Sequence, residues 1–355
     1  MFKNSFVYKL ILLVFKFLIR GAKDMGKIVA LGEIMLRLSP QGFDRLSQTK
    51  QFNAFYGGSE ANASVSLACL GKEVSYVTKL PTNDIAQCAI NEIRKYGVDT
   101  SSIVRGGNRM GLYFFEYGQS KRTSKIVFDR KDSAIAKAEP SDFDWDKIFE
   151  GAEWFHFSGI TPALSERCMK ITLDAVKAAK KKGLTVSIDL NYRSTLWSEE
   201  DYGKAMKEIL PYCDVTLGSK EESELALGLP QKSGKSSEEI MKAMVETYGL
   251  KYSTVIVRKV LGPEEIEGWT ASLYDGEKLY KAKEYDIKVV DEIGGGDAFA
   301  ASFIYAASSN MSKQDIIEFA TAGSCLKYTM MGDANLSSVD EVLRLMKNGS
   351  GQLSR

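Results

Sequence analysis

Histidine is nearly missing from this chain of 355 residues, and the single one, His156, removes whole mechanisms. A metal site with two imidazoles cannot exist, and a Ser-His-Asp triad could form only around His156 itself. That residue lies in the apolar stretch Trp154-Phe155-His156-Phe157, which reads as a buried strand with a hydrogen-bonded core histidine. Cysteine is sparse as well: Cys69, Cys88, Cys168, Cys213 and Cys325 are scattered, odd in number and without C-x-x-C spacing. This is the usage of reduced thiols, mostly packed as small core residues, in a cytoplasmic protein. Charge of one sign is not in excess, with 47 Lys+Arg against 46 Asp+Glu and a net charge of +1, so no nucleic-acid partner is expected. The N-terminal apolar run Leu10-Ile11-Leu12-Leu13-Val14-Phe15 falls far short of the roughly 20 residues that span a bilayer, so no membrane partner is expected either. Gly-x-Gly-x-x-Gly is absent after the first strand candidate, where Gly32-Glu33-Ile34 stands, which argues against a dinucleotide-binding dehydrogenase.

What is present is an alternation of apolar strands and amphipathic helices, the pattern of an α/β doubly wound sheet. Strand candidates are 28–32, 74–79, 154–157, 185–189, 215–217 and 255–257; helix candidates are 61–70, 85–96, 166–182, 202–209, 237–248 and 313–327. Gly71, Gly97, Gly183 and Gly249 stand just beyond helix ends. One region breaks the rhythm: 110–130 reads as a hairpin and, with about 35–56, predicts a small separate β-sheet.

Two glycine motifs carry the chemistry. In Asp291-Glu292-Ile293-Gly294-Gly295-Gly296-Asp297-Ala298-Phe299, three glycines join a strand-like run to a small-residue helix. Such a junction turns bare N–H groups toward one spot and adds about half a positive charge from the helix terminus, a nest for an anion. Asp297 stands where a carboxylate could take the proton of an attacking hydroxyl; the plainer alternative is a glycine turn with Asp297 as helix cap. Upstream, Tyr56-Gly57-Gly58-Ser59-Glu60-Ala61-Asn62 opens a helix with small residues and one amide, which suits close approach of a polyol or simply tight helix packing.

Together these motifs resemble the two signatures of the ribokinase-like (PfkB) sugar-kinase family, over essentially residues 27 to 345. The segments Gly32 to Leu38, Phe157 to Leu164, Asp189-Leu190-Asn191-Tyr192-Arg193 and Leu196-Trp197 are similar to its 2-keto-3-deoxygluconate kinase branch. The resemblance implies a ribokinase-like mostly parallel sheet flanked by helices, with 35–56 and 110–130 as a lid that commonly makes a homodimer. It implies ATP and Mg²⁺ as cofactors and a small sugar acid as substrate. Asp297 is then the base, with Gly294, Gly295 and Gly296 forming the anion hole. Gly57, Gly58, Asn62, Tyr113, Arg193 and Asp333 become sugar contacts, and Asn191, Arg193, Arg258 and Gly262 nucleotide contacts. Glu222 organises Mg²⁺ through water. Gly295 replaces the family's usual alanine, a change expected to be harmless because the donor is backbone.

Three departures matter. Phe115 stands where some branch members carry an arginine, Ser219 replaces an asparagine in the segment ending at Glu222, and Pro263 to Gly268 lengthens the stretch after the expected loop Arg258 to Gly262. The first leaves open a neutral sugar such as fructose or ribose. A non-catalytic sugar or nucleotide sensor is the third reading, disfavoured by the persistence of Asp297 and all three glycines. Residues 1–24 are expected to be a non-native leader, since the family-like domain (25–345) starts at Met25 and Arg20-Gly21-Ala22 can be encoded by a purine-rich ribosome-binding sequence; 346–355 is expected to be a flexible tail.

Overall fold

A computed structural model describes residues 26–348. The expected leader lies outside the described residues, as does most of the expected tail; Met346 and Lys347 continue the last helix.

The main sheet has ten strands: β1 (Lys27–Leu31), β4 (Val74–Leu80), β5 (Ile103–Arg105), β8 (Ala152–Ser158), β9 (Thr185–Asp189), β10 (Val215–Leu217), β11 (Tyr252–Gly262), β12 (Glu265–Tyr274), β13 (Leu279–Lys281) and β14 (Tyr285–Lys288). Their order is β13-β12-β11-β10-β9-β8-β1-β4-β5, with β14 also paired to β12. From β11 to β5 every pairing is parallel, whereas β12 pairs antiparallel with β11, β13 and β14. The inner parallel strands β1, β4, β8, β9 and β10 are short and largely buried on both faces, as helix cover on each side requires.

Those helices are α1 (Ser59–Cys69), α2 (Asp84–Arg94), α3 (Glu166–Lys181), α4 (Glu199–Ile209), α5 (Lys220–Ala226), α6 (Ser237–Tyr248), α7 (Gly295–Ser308), α8 (Lys313–Tyr328) and α9 (Val339–Asn348). Ser165, Ser198, Ser219, Ser236 and Ser312 each cap a helix by accepting a backbone N–H three residues on, which fixes where it begins. Gly249 ends α6 in the left-handed region, φ 69°. The core lies on both sides of the sheet. Val29, Leu31, Phe155 and Phe157 pack beneath α3 and α4, while Ile28 and Trp154 pack with α7 and α8. His156 sits inside this sheet, its Nδ1 2.9 Å from Ser187 Oγ, and burial pulls its pKa down to about 4, so it stays neutral.

The expected small sheet is separate, in the order β3-β2-β6-β7: β3 (Phe52–Gly57), β2 (Met35–Pro40), β6 (Gly111–Glu116) and β7 (Lys125–Asp129). One expectation needs correction. The stretch Arg258 to Gly262 is strand, not loop, because β11 runs on to Gly262 and turns at Pro263-Glu264 into β12. The extra residues after Gly262 thus extend a hairpin whose tip touches the lid, with Pro263 packed beside Gly118. All five cysteines are free thiols, and no helix among the described residues is long and apolar enough to cross a membrane.

Candidate active site

The two glycine motifs meet above the C-terminal ends of the parallel strands, where open α/β sheets bind ligands. Asp297 lies in the first turn of α7. Its Oδ2 accepts a hydrogen bond from Asn62 Nδ2 at 2.7 Å and its Oδ1 one from Ser59 Oγ at 2.8 Å. Burial pushes the Asp297 pKa up, while the Asn62 and Ser59 donors, and the charge of Arg193, pull it back. The group is therefore a better proton acceptor than a solvated aspartate, yet it stays oriented by two fixed donors.

The three glycines before it are not equivalent. Gly294 caps α7 with φ 86°, and a Cβ there would overlap the backbone carbonyl of Asp333. At Gly295 a Cβ would overlap the ring of Tyr328, so in this chain the glycine is demanded by packing rather than optional. Gly296 alone faces open space: the nearest atom to a Cβ there is Asp189 Oδ2, at 4.0 Å. Gly57 and Gly58 are likewise packed, against the Asp333 carboxylate and the Glu33 carbonyl.

Opposite the glycines runs the segment after β9. Asp189 closes that strand, and Asn191, at φ 38°, turns the chain so that its Nδ2 reaches Ser59 Oγ (3.3 Å) and Asp189 Oδ2 (3.2 Å). Burial, together with the nearby charges of Glu222 and Asp297, pushes the Asp189 pKa well up. Asp189 thus feels the charge of both neighbours, a repulsion a cation would relieve, although among the described residues no three such side chains stand close enough to ligate one ion directly. Arg193 is exposed; its Nη1 donates to Tyr192 O at 2.9 Å. Glu222 forms a capping box with Ser219: its Oε2 accepts from Ser219 N (2.8 Å) and its Oε1 from Tyr192 N (3.0 Å), tying α5 to the 191–193 segment. Ser219, the residue that departs from the family pattern, is the cap that makes this possible.

The small sheet, the expected lid, contributes from the other side. Tyr113 donates to Asp333 Oδ2, and burial first, then the Asp333 charge, pushes its hydroxyl pKa well up. Arg37, on the neighbouring strand β2, reaches Asp333 Oδ1 at 2.5 Å and Asp291 Oδ2 at 2.9 Å. Phe115 is stacked under that guanidinium, 4.5 Å from ring centroid to Cζ. On the other side Arg258 is exposed, donates to Tyr328 OH at 2.9 Å and lies over Trp269. Gly262 ends β11 beside Ser120 of the lid.

Of the residues expected from sequence, the structure joins Asp297 and Asn62 by direct contact, brings Asn191 to Asp297 through Ser59, and joins Tyr113, Asp333 and Gly57 in a second group that touches Gly294. Arg258 reaches this assembly only through Tyr328, and Gly262 stands at the hairpin tip. Sequence alone gives no distinct role to Ser59, Asp189, Arg37, Asp291 or the buried Lys327. Ser59 lay inside a recognised motif, but its hydroxyl looked like one small residue among several. Asp189 and Asp291 each flank a motif. For Arg37 the sequence signal pointed the wrong way, since an arginine between Leu36 and Leu38 reads as solvent-facing.

Residues 25–340 match the model of the pfkB family of carbohydrate kinases. A 2-dehydro-3-deoxygluconokinase from Thermotoga maritima, known from its crystal structure, shares 41% sequence identity and superposes with a TM-score of 0.89, over 92% of this chain and 99% of that one. A 2-dehydro-3-deoxygalactonokinase of Haloferax volcanii is 30% identical over 330 residues, 93% of this chain and 99% of its own length. A 5-dehydro-2-deoxygluconokinase of Clostridium perfringens is 32% identical over 307 residues, 84% of this chain and 86% of its own.

Proposed function

The chain belongs to the pfkB family of carbohydrate kinases, and from that premise we propose that it moves the terminal phosphoryl group of ATP onto the terminal hydroxyl of a sugar acid, 2-keto-3-deoxygluconate, giving the 6-phosphate. The observation that carries this reading is the contact of Asp297 with Asn62 and Ser59 beside the open face of Gly296. The hydroxyl oxygen bonds to the γ-phosphorus as the bond from that phosphorus to the β-bridging oxygen breaks, and the hydroxyl proton passes to Asp297. Proton loss is late in a loose phosphoryl transition state, so orientation by Asn62 and Ser59 counts for more than basicity. Backbone N–H groups of Gly294 to Gly296 and the α7 terminus stabilise charge on the transferring group.

Asp189 and Glu222 are the carboxylates that would hold Mg²⁺, through its waters. When bound, the ion neutralises phosphate charge. Asn191 and Arg193 face the nucleotide side, with Arg258 and Gly262 on the hairpin beside it. Arg193 holds its planar fork free of a carboxylate partner in its own hydrogen bond, which suits a sugar carboxylate or a phosphate. Gly57, Gly58, Asn62, Tyr113 and Asp333 line the sugar side. The three relatives above are named as kinases of dehydro-deoxy gluconate or galactonate, which favours an acid.

A neutral sugar is the second reading, and one observation favours it: position 115 is phenylalanine and the nearby Arg37 is fully buried. A coupled ADP-release assay over a panel of sugar acids and neutral sugars separates the two. The expected kcat/KM ratio favours the acid by about 10²-fold or more, the discrimination of a site built for a charged group; an equal or better neutral sugar overturns the acid assignment.

The lid's outer face carries Leu36, Leu38, Leu112 and Phe114, half-buried, with Phe52 (41% exposed) and Val127 (39%). An apolar sheet face of this kind is covered by a second copy of the chain in this reading, making a homodimer.

A further inference from the structure

Arg37 has no solvent exposure at all. Its Nε donates to Ser39 Oγ at 2.9 Å, its Nη1 to Asp333 Oδ1 at 2.5 Å, and its Nη2 to Tyr117 OH at 2.7 Å and Asp291 Oδ2 at 2.9 Å. Phe115 and Phe55 lie against the guanidinium, with ring centroids 4.5 and 5.1 Å from Cζ. Burial alone works against the charge, but Asp333 and Asp291 more than offset it and hold the pKa up. Burying an ion pair is poor value for stability, because apolar side chains could fill the same space without desolvation. What this pair does is join three separate pieces of chain.

The first piece is the lid, through β2 and through Tyr117 after β6. The second is the phosphoryl-transfer loop: Asp291 opens it, and its carboxylate also accepts from Ile293 N and Gly332 N, both at 3.1 Å. The third is the turn at Asp333, whose carbonyl fills the space over Gly294 and whose carboxylate receives Tyr113. Lys327 braces the second and third pieces from below, its Nζ donating to Asp291 O (3.4 Å) and Met330 O (3.2 Å). The cation on the lid is therefore the only one of this pair that crosses to the sugar side.

We propose that Arg37 is a positioning residue that registers the lid and the sugar pocket beneath it against the loop carrying the anion hole, and that by neutralising Asp291 and Asp333 it lets this pocket accept an anionic sugar. The second half rests on the sugar-acid reading given above; the first half does not. Without Arg37, two buried carboxylates would face an incoming carboxylate. Arg37→Lys keeps the charge but cannot reach four acceptors at once, whereas Arg37→Gln loses the charge as well.

The test uses the full chain with both variants and two readouts. Amide hydrogen exchange without substrate reads the tie directly: exchange over residues 291–297 accelerates about tenfold or more in both variants, while helix Glu166–Lys181 keeps wild-type protection. Steady-state kinetics read the pocket: KM for 2-keto-3-deoxygluconate rises about tenfold or more in both, KM for ATP stays within about twofold, and the acid-over-neutral preference falls in Arg37→Gln but not in Arg37→Lys. Unchanged exchange over 291–297 in a folded variant overturns the tie, and so does a parallel rise in both KM values. An acid preference that survives Arg37→Gln overturns the neutralising role. Should Arg37→Gln fail to fold, Arg37→Lys carries the exchange measurement, and Arg37→Met, an uncharged fill of the same space, carries the preference measurement. A wild-type enzyme that prefers neutral sugars would sink the sugar-acid reading while the exchange experiment still decides the tie.

Discussion

Asn62 Nδ2 lies 2.7 Å from Asp297 Oδ2, a hydrogen bond between residues 235 apart in sequence. It joins the helix that follows the first glycine motif to the helix that follows the second, so the proposed proton acceptor is aimed by a residue of the other motif. Asp297→Asn keeps a side chain that Ser59 can still hold, but it cannot take a proton. The expected loss in kcat is about 10²–10⁴-fold, with KM for either substrate little changed. Asn62→Ala removes a donor that favours the ionised form, so the Asp297 pKa should rise further and the acid limb of the kcat–pH profile should move to higher pH. A profile that stays in place would separate Asn62 from the base.

Gly296 and Gly295 should respond oppositely to alanine. At Gly296 a methyl group meets only open space, with Asp189 Oδ2 at 4.0 Å, so Gly296→Ala should fold with wild-type thermal stability and, if that space is the proposed phosphoryl cradle, fail in catalysis. At Gly295 the methyl would overlap Tyr328, so Gly295→Ala should lose roughly 1–3 kcal/mol of stability or more from overpacking. Melting curves and activity on the same two proteins check this. Comparable stability losses in both would mean that the open space beside Gly296 is not a ligand site.

Most of the sheet was legible because buried parallel strands are short apolar runs closed by glycine or a helix cap: five of the six strand candidates of the main sheet fall within observed strands, and the sixth, 28–32, overruns β1 by Gly32 alone. The meeting of Asp297 and Asn62 was legible only through the resemblance, since nothing local predicts a contact across 235 residues. The lid shows where alternation misleads. A period of two says that Leu36 and Leu38 share one face and Met35, Arg37 and Ser39 the other, but not which face is inward. Ordinary hydrophobic logic buries the leucines; here they are half-exposed and Arg37 is buried, because the inner face roofs a polar site. Likewise Arg258 to Gly262 carried no strong strand signal apart from its hairpin partner β12, whose pairing is what makes it a strand.

That inverted lid makes the dimer testable. Phe52 and Phe114 pack edge to face, with centroids 6.1 Å apart, on the outer apolar face. Phe114→Arg adds a charge there without touching the inner face, where Tyr113 and Phe115 sit. Light scattering should then report a dimer for the wild type and a monomer for the variant at micromolar concentration, since burying an unpaired charge in an apolar interface costs several kcal/mol. A wild-type monomer, or a variant that remains dimeric, removes the lid as the contact.

Glu60, inside the first glycine motif, should make stability fall as pH rises. Its Oε1 accepts from Ser158 N at 2.7 Å and from Thr161 Oγ1 at 3.0 Å, and its other oxygen is wedged against Gly32. Burial pushes its pKa from the ordinary 4.5 to about 7, and the two donors only partly counter this. The folded state therefore holds the proton more tightly than the unfolded chain does. The stabilisation from that proton is fully present below about pH 4.5 and is lost as pH climbs to about 7 and beyond. The shift corresponds to about 3 kcal/mol at ~1.4 kcal/mol per unit. Asp189, Asp297 and Glu292 also have raised values, so the informative quantity is a difference. Urea unfolding of wild type and Glu60→Gln at pH 5 and pH 8 should show wild type losing stability relative to the variant across that interval. Parallel stability curves for the two proteins would rule out this role of Glu60.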